Sequence, residues 1–162
     1  MAIGGYPMGA WVAALTFLAC AAAYETRRAG PAKKHNLKIV STNRAASPGL
    51  GHYSQGIIHG DRLYVSGLLP ITPQGEKLGD RPFNEQVTQV LNNLKAILES
   101  ADTDITGLVS VRIYITDIEQ WGQFNTIYAA FLGDHKPARA VVPVPVLNYG
   151  AALELEAVAA ID

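Results

Sequence analysis

Between residues 87 and 116 the hydrophobic period of the chain changes from that of a helix to that of a strand, and few folds accommodate both. Val87, Val90, Leu91, Leu94, Ile97 and Leu98 fall at i, i+3, i+4, i+7, i+10 and i+11, one face of an amphipathic helix. Asn84 stands where a capping side chain is wanted. Further on, Val109, Val111, Ile113 and Ile115 alternate with Ser110, Arg112, Tyr114 and Thr116, the pattern of a half-buried strand. Each element has one apolar side to hide, so the spacing predicts helices laid on a sheet.

The flanking segments extend this plan. Leu37 to Ser41, Gln55 to His59 and Arg62 to Ser66 read as short strands, with Gly60-Asp61 suited to a tight hairpin turn between the last two. Ala45 to Gly51 and the Pro/Gly-rich stretch from Pro70 to Pro82 read as loops. Asp117 with Gln120 resembles a capping box for a second helix, whose apolar stripe is Trp121, Phe124, Tyr128 and Phe131. Gly133 to Pro137 ends that helix. Arg139 to Val146 is a strand whose Pro143 and Pro145 suit a sheet edge, and Leu153 to Ile161 is another strand. The order is strands, helix, strand, helix, strands: an α+β fold with two helices on one face of a mixed sheet.

The other face of that sheet is left over. Glu154, Glu156, Val158 and Ala160 share it, opposite Leu153, Leu155, Ala157 and Ile161. A half-apolar face without a helix favours packing against another protein surface, and so an oligomer.

Charge narrows the partners. Thirteen basic residues face fourteen acidic ones, a balance that supplies no field to hold a nucleic-acid backbone or an anionic membrane. Cys20 is the lone cysteine and the four histidines show no ligand spacing, so neither an intrachain disulfide nor a metal site is expected. Residues 1–35 form an extension, and a single domain is expected over 36–162. Gly9 to Tyr24 is an uncharged run, short for a membrane span and lacking the basic start of a signal peptide. Arg27, Arg28, Lys33 and Lys34 follow it. That pattern favours a cytoplasmic domain, with membrane anchoring through residues 9–24 as the alternative.

A few residues could carry chemistry. Arg139 opens an apolar strand, where its planar fork could hold a carboxylate or pair with a neighbouring acid. Glu154 and Glu156 lie on one side of their strand, either as solvated charges or as a base in a partly dry cleft. Tyr53 follows a glycine-rich loop and could donate a hydrogen bond to a ligand or pack at the domain edge. Asn125 lies between Phe124 and Ile127 on the second helix, as an interior hydrogen-bonding residue or a surface one. No covalent nucleophile or phosphate-binding glycine loop is present. An anion clamp, a water-activating carboxylate and hydrogen-bond donors suit hydrolysis of a small electrophilic acid.

Taken together, STNRAASPGLGHYSQGI, RLYVSGLLP, NEQVTQVLNNLKAIL, VRIYITDIEQWGQFNTIYAAF, PARAVVPV and GAALELEAVA resemble the RidA family, also called YjgF, of reactive intermediate deaminases. The resemblance runs from about Leu37 to Ile161. It implies a chorismate mutase-like domain that forms homotrimers with three clefts between subunits. It implies that Arg139 clamps the substrate carboxylate and Glu154 orients the attacking water. Tyr53 and Asn125 would contact the substrate, and Val141 would meet it through its backbone, where cysteine is frequent in the family. Ala140 stands where serine or threonine is usual, and Leu68 where glutamine is common. The implied reaction is hydrolysis of 2-iminopropanoate or 2-iminobutanoate to the 2-oxo acid and ammonia, with no cofactor. A non-catalytic sensor of small carboxylates, an RNA-cleaving activity and a chaperone role are the alternatives.

Overall fold

The computed structural model describes residues 35–162. The apolar run at residues 9–24, with its alternative reading as a membrane anchor, and all of the extension before His35 lie outside the described residues.

Strand β1 (Leu37–Val40) pairs antiparallel with β2 (Gly56–His59), which pairs antiparallel with β3 (Arg62–Leu68). His59 faces Arg62 across the turn, and Gly60 sits there at φ +62°, a conformation glycine adopts without a Cβ penalty. Helix α1 (Phe83–Ser100) leads to β4 (Leu108–Ile115), and helix α2 (Trp121–Leu132) leads to β5 (Ala138–Pro143). Because β4 and β5 run parallel, their connection must cross over, and α2 makes that crossover. The last strand, β6 (Leu153–Ala160), inserts between β3 and β4, antiparallel to both. The sheet order is β1-β2-β3-β6-β4-β5, so β5 is an edge, as its prolines predict.

Both helices pack on one face of the sheet. The predicted stripe of α1, from Val87 to Leu98, is buried in one core with Leu63, Val65, Val111, Ile113, Leu155 and Ala159. Along β6, buried and half-buried residues alternate without a break, which leaves Glu154, Glu156, Val158 and Ala160 on the uncovered face.

Some local expectations are corrected. Asn84 does not cap α1: Pro82 occupies the N-cap position, and Asn84 lies inside the first turn, its carbonyl accepting from Thr88 Oγ1 at 2.7 Å. Val109 is exposed although its strand neighbours at even spacing are buried. Leu108 and Ser110 face the consecutive residues Ala159 and Val158, so a bulge turns Val109 outward. Asp117 caps a short 3-10 turn, Ile118–Gln120, by accepting from Glu119 N at 3.0 Å, one turn ahead of α2. The buried stripe of α2 is Phe124, Tyr128 and Leu132, whereas Trp121 stands 41% exposed. Regular pairing in β5 stops at Pro143, short of Val146. No helix among the described residues is long and apolar enough to cross a membrane.

Candidate functional site

Two clusters form, on opposite faces of the sheet. The first lies where α2 meets β5. Trp121, Asn125 and Tyr128 follow at i, i+4 and i+7, so all three present toward one side of the helix. Arg139, the second residue of β5, extends to that side. Its Nη1 donates to Asn125 Oδ1 at 2.9 Å, and its guanidinium carbon lies 5.6 Å from the Trp121 ring centroid and 5.2 Å from that of Tyr128. No carboxylate of the same chain pairs with Arg139 among the described residues. A cavity of about 480 Å³ opens beside it, lined by Asn125, Tyr128, Leu132, His135, Lys136 and Arg139. Burial pushes the Tyr128 hydroxyl up to about 12, against the pull of the nearby Arg139 charge, and the hydroxyl has no hydrogen-bond partner among the described residues. His135 Nε2 is taken, bonded to the Leu108 carbonyl at 2.7 Å. Val141, half-buried against the core, points to the same side as Arg139, and the outer flank of its edge strand has no neighbouring strand.

The second cluster lies on and beside β3 and β6. Glu154 projects from the uncovered face of β6 over Gly67 of β3, where a Cβ would overlap its Oε1. Burial, and then the charge of Glu156, raise the Glu154 carboxyl above its ordinary value. The two glutamates differ in company. Glu156 bonds Arg112 across the strand pair, whereas Glu154 has no hydrogen bond or ion pair among the described residues. Tyr53 stands exposed on the loop before β2, beside a shallow cavity of about 40 Å³ shared with Ser66, Gly67 and Leu68. Buried Gln55 holds that loop. Its Nε2 donates to the Thr42 and Ala46 carbonyls at 3.0 and 2.8 Å, and its Oε1 accepts from Thr42 N at 2.6 Å. Ser66 adds a tie to the Ser54 carbonyl at 2.6 Å.

Arg139 and Glu154 do not meet within one chain. Arg139 is in register with buried Val111, and Glu154 with half-buried Tyr114, so they leave the sheet on opposite sides. Tyr114 in turn faces Val142, three residues along β5 from Arg139, which adds about 10 Å of strand length. The sheet order also puts β4 between β5 and β6. A ligand the size of a few carbons cannot span that within one protomer.

Sequence reasoning assigned Trp121 and Tyr128 to the core stripe and missed their contact with Arg139. It also passed over Gly67, whose lack of a side chain makes room for Glu154. The helical spacing of Trp121, Asn125 and Tyr128 was readable, but only the crossover brings β5 alongside it. Among the described residues no group of three His, Cys, Asp or Glu side chains could hold a metal ion.

Residues 43–161 match the family described as Endoribonuclease L-PSP. A RutC family protein of Pyrococcus horikoshii is 35% identical over 122 residues, covering 75% of this chain and 96% of the relative. A 2-iminobutanoate/2-iminopropanoate deaminase of Rattus norvegicus is 34% identical over 122 residues, covering 75% and 88%. Among solved structures, RidA from an Antarctic Psychrobacter has a TM-score of 0.72 at 32% identity, covering 76% of this chain and 99% of that one. E. coli TdcF with bound serine likewise has a TM-score of 0.72 at 32% identity, covering 77% and 99%.

Proposed function

Because the chain belongs to the Endoribonuclease L-PSP family, in which RutC and RidA proteins fall, we propose that it hydrolyses reactive 2-imino acids such as 2-iminopropanoate and 2-iminobutanoate. Arg139 receives the carboxylate on its free N–H donors. Glu154 accepts a proton from water as the oxygen adds to the imine carbon. That proton passes to nitrogen to give the tetrahedral carbinolamine; its hydroxyl proton then moves through Glu154 to the amine as the C–N bond breaks and the C=O forms, and the 2-oxo acid and ammonia leave. Tyr53 and Asn125 orient the substrate, and the Val141 backbone lines its path. Water hydrolyses such imines unaided, so positioning and general base help suffice.

The observation that carries this reading is the state of Glu154. It is a half-buried carboxylate beside Gly67 with no ion-pair partner among the described residues, and burial and the Glu156 charge raise it above its ordinary value. A protein that only captured carboxylates would gain nothing from a second negative charge at the ligand. The balanced overall charge also supplies no field for an RNA backbone. The curated rat deaminase, alike over the same span, agrees with the assignment. The chemistry is assigned to the cytoplasm on the sequence alone, since basic residues follow the apolar run near the N-terminus.

A coupled assay tests the reaction. An amino-acid-deaminating enzyme generates 2-iminobutanoate, and release of the oxo acid is followed with and without this protein. Acceleration that scales with added protein is expected. Saturable binding of 2-oxobutanoate with no acceleration would favour the sensor reading instead.

The separation of the two clusters adds an assembly requirement. We assign each working site to two neighbouring copies of a homotrimer, one giving Arg139 and Asn125, the other Glu154 and Tyr53. Arg139→Ala and Glu154→Gln chains, each inactive alone, are then expected to recover about a quarter of wild-type activity when mixed in equal amounts and reassembled, because that share of random interfaces joins two intact halves. No recovery in assemblies shown by light scattering to be mixed would place the site within one chain. Gly67→Ala is expected to displace the Glu154 side chain and slow turnover about tenfold to a hundredfold, with 2-oxobutanoate affinity little changed. Unaltered turnover in that variant would show that Glu154 works from another position.

A further inference from the structure

We propose that Trp121 and Tyr128 are positioning residues for the Arg139 guanidinium: two aromatic rings of α2 that hold the carboxylate-binding fork in its working orientation. The inference rests on the reading of Arg139 as the anion clamp and adds residues that the comparisons do not assign.

Arg139 is exposed on an edge strand, and a long side chain there would ordinarily sample many rotamers. Its one side-chain hydrogen bond among the described residues, to Asn125, restrains a single nitrogen. The remaining restraint comes from the two rings, whose centroids at 5.6 and 5.2 Å both fall inside the range of about 6 Å over which a cation is attracted to an aromatic face. With Nη1 engaged by Asn125 and the two rings beside the guanidinium, Nε and Nη2 have no hydrogen bond among the described residues and are the donors left for a carboxylate. Each ring is supported differently. Tyr128 is 95% buried and stacks on Phe124 with centroids 5.2 Å apart, so it is fixed by the core. Trp121 stands 41% exposed at the start of the helix, outside the buried stripe of α2, with its ring beside the Arg139 guanidinium. The Tyr128 hydroxyl has no hydrogen-bond partner among the described residues, which makes the ring, and not the hydroxyl, the part of Tyr128 that serves Arg139.

The test compares ring-keeping with ring-losing variants. Trp121→Phe and Tyr128→Phe keep a ring under the guanidinium and are expected to hold KM for the imine, and Kd for 2-oxobutanoate, within about twofold of wild type. Trp121→Leu keeps apolar bulk without a π face and is expected to raise both about five- to tenfold while kcat stays within about twofold, the signature of lost uniform binding. Fluorescence supplies a readout independent of folding effects. In a Trp11→Phe chain, Trp121 is the sole indole. Its emission is expected to change saturably with added 2-oxobutanoate, and not at all in the same chain carrying Arg139→Ala. The inference is overturned if Trp121→Leu matches wild type in KM and Kd, or if calorimetry shows binding that leaves Trp121 emission unmoved. Full activity in Arg139→Ala would instead overturn the clamp itself, so the two failures are told apart.

Discussion

Replacing Arg139 by alanine is expected to lower kcat/KM for imine hydrolysis by about 10²- to 10³-fold, with the fold and the oligomer size unchanged. The magnitude follows from removing two charge-assisted hydrogen bonds to a carboxylate, each contributing about 1.5–3 kcal/mol, with partial compensation by water. The fold should survive because Arg139 is exposed and its side chain makes one hydrogen bond among the described residues, to Asn125. Loss of its contact with the two rings should cost on the order of 1 kcal/mol, a small shift in Tm. Arg139→Lys keeps the charge but not the planar fork, and should recover less than about a tenth of the lost rate. Initial rates in the coupled assay, with circular dichroism and light scattering on the same samples, decide the matter. Wild-type rates from a folded Arg139→Ala oligomer would remove the anion clamp from the mechanism.

Glu154→Gln is expected to reduce turnover about 10²- to 10³-fold while 2-oxobutanoate still binds within about threefold of wild type, because the amide keeps the shape and loses the base. Glu156→Gln should alter maximal turnover by no more than about threefold, since Glu156 is engaged with Arg112. The same pair predicts a pH effect of definite sign. The rate requires Glu154 as a carboxylate, so activity rises with pH as that group loses its proton. Burial and the Glu156 charge raise this step above the ordinary carboxylate value. Neutralising Glu156 removes the second cause, so the acid limb of the pH–rate profile should move to lower pH in Glu156→Gln. A limb that stays in place, or moves upward, would separate that titration from Glu154. Loss of turnover in Glu156→Gln with Glu154→Gln unaffected would transfer the base to the other carboxylate.

Much of the architecture could be read before any coordinates. The α1 stripe, the alternation in β6 and the Gly60-Asp61 turn are signals within a few residues, and the structure repeats them nearly unchanged. The misreadings share a cause. Val109 obeyed the alternation but lies at a bulge set by pairing with β6, a strand about fifty residues away. Asn84 had the right chemistry for a cap, but Pro82 already holds the N-cap position. Trp121 matched the helical period, yet lies at the end of α2 that β5 approaches, so it meets a guanidinium instead of the core. The glutamates could not be told apart by spacing. Arg112, on the adjacent strand, distinguishes them by occupying one. Local periodicity reports which side of an element faces inward, and says nothing about which distant side chain arrives there.

That Arg139 and Glu154 leave opposite faces of one sheet also bears on inheritance and dosage. When a working site is completed by a neighbour, a chain damaged at one position spoils the cleft that receives its damaged half and still completes another with its sound half. A loss-of-function allele at either position would then lower activity only in proportion to its share of the chains, and two alleles damaged at different positions would partly complement each other. By the same logic, activity per molecule would fall on dilution through the assembly constant, and the amount of chain in the cell would set not only how many sites exist but whether each is whole.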